Sequence, residues 1–385
     1  MKKILVSICC ILICIVSTIF SFNIGQVGAE ASNLSIDAKS AFLMDFSSGD
    51  VLFEQNADEK VPVASIVKLM TILLTLESLD KGEITLDEMI TTSKEASGMG
   101  GSQVFIDPYV DYSVEEMLKS VIVASANDAS VSLAEKIAGS EEAFVKQMNQ
   151  RAKDLGLNNT VYVNASGIPE PGQYSTARDT AVLTREVLNY KDYFKYSTIW
   201  MDKLTHPSGR ETEVVNTNKL IRYFKGCDSG KTGFTSEAGY CLSASAERGG
   251  MRLIGVVLGA KTGTDRFNET SKLLTYGFNH FENKQIISMD NPIIELPVVR
   301  SKIKNIPVYP SEDFSGVIRK GDLVEYAISI ETIGKIKAPL CKNEKVGTIT
   351  VSRNGVVVKT IDIIVAQDIA GLSYTDGFKE IISQW

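Results

Sequence analysis

The sequence predicts an α/β protein of the α+β kind: a sheet covered by helices, followed by a small all-β domain. Two observations carry this. Strand-like alternation at residues 40–53 and 239–260 brackets a long stretch of helical periodicity, and a chain that runs strands, helices, strands builds a sheet with helices packed on it. Beyond about Asn283 the helical period gives way to short β-rich runs split by turns. At 385 residues, 44% of them apolar, the chain is long enough for two cores.

Taken in order, "SAFLMDFSSGDVLF" sets two apolar runs around "SSGD" and reads as a β-hairpin. Helical spacing follows at 65–79, 114–123, 129–137, 141–155 and 176–188, with Ser113 and Glu116 forming a capping box before the second. "GYCLSASAERGGMRLIGVVLGA" alternates and turns at Arg248-Gly249-Gly250, and "NETSKLLTYGFNHF" supplies a last helix. A mixed sheet covered by helices is the expectation. In the β-rich remainder, Arg353-Asn354-Gly355 is a hairpin signal between two strand patterns.

The chain's last segment, "YTDGFKEIISQW", brings Tyr374, Phe378, Ile381, Ile382 and Trp385 near one helical face. Two readings stay open for it, a helix packed on its own domain and peripheral contact with a membrane surface. Interfacial helices usually carry a basic polar face, and here one lysine stands against two acids. At the other end, Lys2 and Lys3 precede an uncharged run from Ile4 to Phe22 and the small residues Gly28, Ala29 and Ala31. That is the order of a secretory signal cut after Ala29, with an uncleaved anchor as the competing reading. Either way the remainder is placed outside the cytoplasm, in the cell wall or at the outer face of the membrane. The expected divisions are a signal over 1–29, a main domain over 33–284, an all-β domain over 290–368 and the tail over 371–385.

Composition removes several function classes. A formal charge of −7 with no Lys/Arg-rich block excludes nucleic acid as a partner. Cys9, Cys10 and Cys14 fall in the signal, and Cys227, Cys241 and Cys341 lie too far apart for a disulfide framework or a zinc site, so they read as small core residues. His206 and His280 are the only histidines, which leaves few candidates for a histidine base.

In "VASIVKLMTILL", Ser65 and Lys68 stand three residues apart, so on a helix they face the same way. A serine hydroxyl is a weak nucleophile that needs a base, and a desolvated lysine can serve. Alone the pair also reads as a helix cap followed by a snorkelling lysine. "VASANDAS" sets Ser125 and Asn127 at a turn between two helical patterns, and "DSGKTGFT" puts Lys231, Thr232 and Gly233 at a strand, where a lysine and a hydroxyl can hold a carboxylate. Each has an ordinary reading as a loop or turn. All three in this order, separated by 60 and 106 residues, are not an accident of composition.

Ser-x-x-Lys, Ser-x-Asn and Lys-Thr-Gly together are the signature of penicillin-binding proteins and class A β-lactamases. On these, and on "FLMDFSSGDVLFEQNADEKVPVASIVKLMT", "YSTARDTAVLTRE" and "GKTGFTSEAGYCLSASAERGG", the chain from about Ser40 onward resembles the low-molecular-weight penicillin-binding proteins, specifically serine-type D-alanyl-D-alanine carboxypeptidases. The resemblance implies a serine β-lactamase/transpeptidase-like domain with an antiparallel sheet flanked by helices. It implies hydrolysis of the terminal D-alanine from peptidoglycan stem pentapeptides, inhibition by β-lactams, and no metal or organic cofactor. Carried over by position, Ser65 is the nucleophile and Lys68 its base. Ser125 relays the proton, and Asn127 bonds Lys68 and the substrate. Lys231 and Thr232 hold the terminal carboxylate, Gly233 allows close approach, and the N–H groups of Ser65 and Phe234 form an oxyanion hole. One departure is Asp228-Ser229-Gly230, where the family usually has Asp-Gly-x.

Lys261-Thr262-Gly263 repeats the tripeptide, but it follows the strand "RLIGVVLGA" and so lies at the far end of it, in a loop with no catalytic role. Two alternatives remain. A class A-like β-lactamase needs a deacylating glutamate, for which the matching region offers only Glu170, between Pro169 and Pro171. A catalytically silent penicillin-binding scaffold would keep the fold without the chemistry.

Overall fold

The computed structural model describes residues 34–321, 326–353 and 355–373. The signal reading over 1–29, the apolar face from Tyr374 to Trp385 and Asn354 of the hairpin signal lie outside the described residues.

In the first domain the strands are β1 (Ser40–Asp45), β2 (Val51–Gln55), β3 (Met89–Thr91), β4 (Asp111–Ser113), β5 (Met201–Thr205), β6 (Glu211–Val215), β7 (Cys227–Thr235), β8 (Gly239–Arg248) and β9 (Met251–Ala260). Five of them form one sheet in the order β2-β1-β9-β8-β7, and every neighbouring pair is antiparallel. The mixed sheet expected from periodicity is therefore corrected, while the antiparallel sheet implied by the resemblance is found. The hairpins β1–β2 and β8–β9 join adjacent strands directly, and the whole helical excursion between β2 and β7 returns to the opposite edge, so no parallel crossover arises. The short pairs β3–β4 and β5–β6 carry no strong alternation in the sequence and were not anticipated.

The helices are α1 (Lys68–Asp80), α2 (Lys94–Ser97), α3 (Val114–Val123), α4 (Asn127–Ala138), α5 (Glu141–Asp154), α6 (Ala177–Val187), α7 (Lys191–Ser197), α8 (Leu220–Tyr223) and α9 (Gly263–His280). The predicted capping box is present at α3, where Ser113 Oγ accepts from Glu116 N and Glu116 returns the bond. From Lys68 to Ser78, α1 is buried on all sides, the position that an all-round apolar helix must take. The last helix begins five residues earlier than its apolar pattern because Thr262 caps it, accepting from Asp265 N. Cys227 and Cys241 are buried as expected, but Cys341 is exposed, because it lies in a turn of the second domain outside the alternating strands.

The second domain comprises β10 (Phe281–Ile287), β11 (Ile294–Val299), β12 (Asn305–Pro310), β13 (Phe314–Arg319), β14 (Ala327–Thr332), β15 (Ile336–Lys337), β16 (Lys345–Arg353) and β17 (Val356–Val365). Six strands pair in the order β14-β16-β17-β12-β11-β15, and β10 pairs with β13. Alternate residues such as Leu296, Val298, Ile306 and Val308 point inward to a core of their own with Ile349, Ile361 and Ile363. Its anchor on the first domain is the C-terminal end of α9, where Lys320 N donates to His280 O and Lys320 Nζ to Phe278 O, both at 2.8 Å. Arg353 adds an ion pair to Asp50 at 2.6 Å. Roughly 20 Å of helix separates this junction from the first turns of α9, which border the cleft described next.

Candidate active site

Ser65 does not open an α-helix; it sits in a 3₁₀ turn, Ala64–Val67, that leads into α1. Ala64 holds a left-handed φ of 48°, a conformation that costs a non-glycine residue free energy and recurs at functional sites. Two glycines press on this turn. A Cβ on Gly167 would lie 2.1 Å from Ala64 O and 2.9 Å from Ser65 N, and one on Gly233 would lie 2.8 Å from Val63 O. Both segments can approach the serine backbone only because they lack a side chain.

One turn on, Lys68 is fully buried, and its Nζ donates to Ser65 Oγ at 3.0 Å, to Asn127 Oδ1 at 2.6 Å and to Ser166 O. Burial drives its pKa down to about 7, opposed by the negative charge of Asp128. A lysine in this state exchanges its proton near neutrality, which an exposed lysine cannot do.

Ser125, at a left-handed φ of 60° between α3 and α4, accepts from Lys231 Nζ at 2.6 Å. Asn127 is the first residue of α4, and its amide bridges the two walls, accepting from Lys68 and donating to Gly100 O at 2.6 Å. Asp128, which the sequence reading did not single out, is buried and accepts from the N–H groups of Val104, Ile106 and Ala129. It thereby pins the loop that supplies Gly100 O and Ser102 O to Asn127. Replacing Asp128 by alanine strands those buried donors and is expected to cost about 3 kcal/mol or more in urea unfolding, with a parallel loss of acylation.

Lys231, Thr232, Gly233 and Phe234 lie on β7, the edge strand, so one side of that strand faces the cleft instead of a neighbour. Lys231 is fully buried, with its pKa pushed well below the ordinary value by burial first and then by the charges of Lys68 and Arg266. Ser229, in the departure from the family pattern, sits next to a bulge, and its Oγ bonds Ser245 Oγ at 2.8 Å, so the strand entry is stapled to β8. Phe234 is half-exposed and stacks on Tyr240 at 4.2 Å.

Arg266 was also missed. Its Nη1 donates to Gly233 O at 3.2 Å, and its buried Nε has no partner within the protein. The second Lys-Thr-Gly explains its position: Lys261 is exposed and ion-paired with Asp37, while Thr262 caps α9 and so presents the helix's first turn to the end of β7. Glu170 lies outside this network, bonded to Asn164 Nδ2 at 3.4 Å, and it lines a cavity of about 380 Å³ beside the serine turn.

Ser65 and Asn127 thus meet at Lys68, Ser125 is bonded to Lys231, and three basic side chains, Lys68, Lys231 and Arg266, gather close to one another. Such a site favours an anionic ligand. A family model described as D-alanyl-D-alanine carboxypeptidase matches residues 27–262, and one described as penicillin-binding protein 5, C-terminal domain, matches residues 281–370. The chain belongs to the D-alanyl-D-alanine carboxypeptidase family. D-alanyl-D-alanine carboxypeptidase DacF of Bacillus subtilis is 38% identical over 361 residues, which span 94% of this chain and 93% of that protein. Penicillin-binding protein 5 of Haemophilus influenzae is 31% identical with a TM-score of 0.70, over 88% of this chain and 98% of that one. Penicillin-binding protein D2 of Listeria monocytogenes, solved in its ampicillin-bound form, is 34% identical with a TM-score of 0.57, over 64% of this chain and 99% of its own. As a carboxypeptidase of this family, the chain is a serine-type hydrolase of the D-Ala-D-Ala bond, and the two domains of the fold carry the family's two matches in order.

Proposed function

We propose that Ser65 attacks the carbonyl between the two terminal D-alanines of a peptidoglycan stem peptide, forming an ester and releasing D-alanine. The observation that carries this is the buried Lys68 amine, 3.0 Å from Ser65 Oγ and depressed to about 7. In its neutral form Lys68 takes the serine proton as the Oγ–C bond forms. The proton returns through Ser125 to the departing nitrogen as the C–N bond breaks, and water then hydrolyses the ester. The N–H groups of Ser65 and Phe234 receive the oxyanion, and removing one such donor typically costs ~10²–10³ in rate. Lys231, Thr232 and Arg266 take the terminal carboxylate; its negative charge favours the protonated form of the buried Lys231, which supports the choice of free chain ends. β-Lactams acylate the same serine. Peptidoglycan lies outside the cytoplasm, so the enzyme acts there, and no helix among the described residues is long and apolar enough to cross a membrane.

The test is an intact-mass time course of the protein from Glu30 onward with benzylpenicillin, followed by a D-alanine release assay. A one-to-one adduct on Ser65 lasting minutes, with D-alanine released from a stem-peptide analogue, is the expected result. Rapid turnover of the drug without an adduct overturns it in favour of a β-lactamase, and an inert protein overturns it in favour of a scaffold.

The pH dependence follows from Lys68. Only its neutral form accepts a proton, so acylation is expected to fall about tenfold per pH unit below about 7 and to level off above it, in stopped-flow mixing with benzylpenicillin.

A further inference from the structure

We infer that a cavity on the leaving-group side of the cleft is a subsite for an acidic side chain on the D-amino acid that is released. The inference rests on the proposed function, which puts that residue's α-carboxylate at Lys231 and Thr232. From there the acyl part of the substrate runs along β7 toward Thr235, so the departing residue lies at the other end, toward Ser229. A cavity of about 610 Å³ borders that end, between α8 and the first turns of α9. Both of its walls are tied to the catalytic elements. Just before α8, Asn218 Nδ2 donates to Ser229 O at 3.0 Å and Thr217 N to Val123 O at 3.1 Å, two residues ahead of Ser125, while Arg266 reaches from α9 to Gly233 O.

Its charge is of one sign. Lys219 and Arg266 line it, on opposite walls, and no aspartate or glutamate does. Lys219 is exposed and, among the described residues, held in no ion pair, and Arg266 spends one of its five N–H donors on Gly233 O. Asp265, the acid next to Arg266 in the sequence, acts on the exposed Lys261 instead. Leu220, Tyr223 and Phe267 add apolar surface. The methyl group of a released D-alanine is too short to use this space. What fits is a side chain with a short methylene stem ending in a carboxylate, as in D-glutamate, and two cations without an opposing acid disfavour a basic one. The reaction is unchanged: the Ser65 Oγ–C bond forms, the C–N bond to the D-glutamate breaks, its nitrogen takes the relayed proton, and water then hydrolyses the ester.

The experiment follows release of the last residue from three synthetic peptides, diacetyl-Lys-D-Ala-D-X, with D-Glu, its neutral isostere D-Gln, or D-Ala as X. At low ionic strength kcat/KM for the D-Glu peptide is expected to exceed that for the D-Gln peptide about fivefold, the upper end for a partly exposed ion pair, and the ratio should shrink in high salt. Lys219→Glu should bring the ratio to one or below. If that variant does not acylate with benzylpenicillin, Lys219→Gln takes its place and should remove most of the preference. Equal rates on the D-Glu and D-Gln peptides, or a preference that survives the loss of the Lys219 charge, overturn the subsite and leave the Ser65 chemistry standing. An enzyme that neither releases D-alanine from the D-Ala peptide nor forms the penicillin adduct overturns both.

Discussion

Lys68→Ala is expected to slow acylation by benzylpenicillin by about 10²–10⁴-fold, the usual contribution of a positioned general base. The size of the effect comes from the absence of a substitute. Lys231, the other buried amine, is engaged with Ser125 and Thr232 O, and His206 is bonded on one side to Tyr112 and on the other to Thr212, away from the serine. The substitution also leaves Asn127 Oδ1 and Ser166 O without their buried donor, at about 1–3 kcal/mol each. A thermal melt must therefore accompany the kinetics. The chemical role is separated from the structural one by adding a small primary amine such as ethylamine. Partial rescue that grows with the neutral fraction of the amine identifies the lost group as a base, while acylation at the native rate without rescue would show that Ser65 is activated by another group.

Ser65 and Lys68 were legible because a three-residue spacing survives whether the backbone is 3₁₀ or α, so the pair could be read even though the turn type was not. Lys231 to Phe234 were legible because a polar tripeptide opening an apolar strand is conspicuous, but the full burial of Lys231 was not read from the sequence. Asp128 was not, since its importance lies in hydrogen bonds to backbone N–H groups more than 20 residues earlier, which leave no periodic trace. Arg266 was hidden behind a repeat of the tripeptide, set aside as a loop, whose threonine in fact caps the helix that brings the arginine in. The sheet's antiparallel order was not in the alternation either, because alternation reports which face is buried and says nothing of strand direction.

Gly167→Ala is expected to lower acylation by about 10²-fold, the order of loss produced when a reacting group is misplaced by roughly 1 Å. Gly167 holds φ at 79°, and its new Cβ would fall 2.1 Å from Ala64 O, 2.5 Å from Ala64 C and 2.9 Å from Ser65 N. All three are backbone atoms, so no side-chain rotation relieves the clash. The glycine's own loop cannot retreat cheaply: Gly167 N donates to Asn164 Oδ1 at 2.7 Å, Ala165 O accepts from Thr71, and Ser166 O accepts from Lys68. The serine turn must yield instead, and it is already strained at Ala64. Its movement displaces both the Ser65 N–H that receives the oxyanion and the Oγ that faces Lys68. Gly249→Ala is the control, for it meets the same left-handed penalty, at φ 57°, in open space at the β8–β9 turn. Both variants should lose about 1 kcal/mol or more in urea unfolding, but only the Gly167 variant should lose acylation. If its acylation rate stays within twofold of the parent, the serine turn is not held in register by this contact, and the close approach of Gly233 on the other side must set it alone.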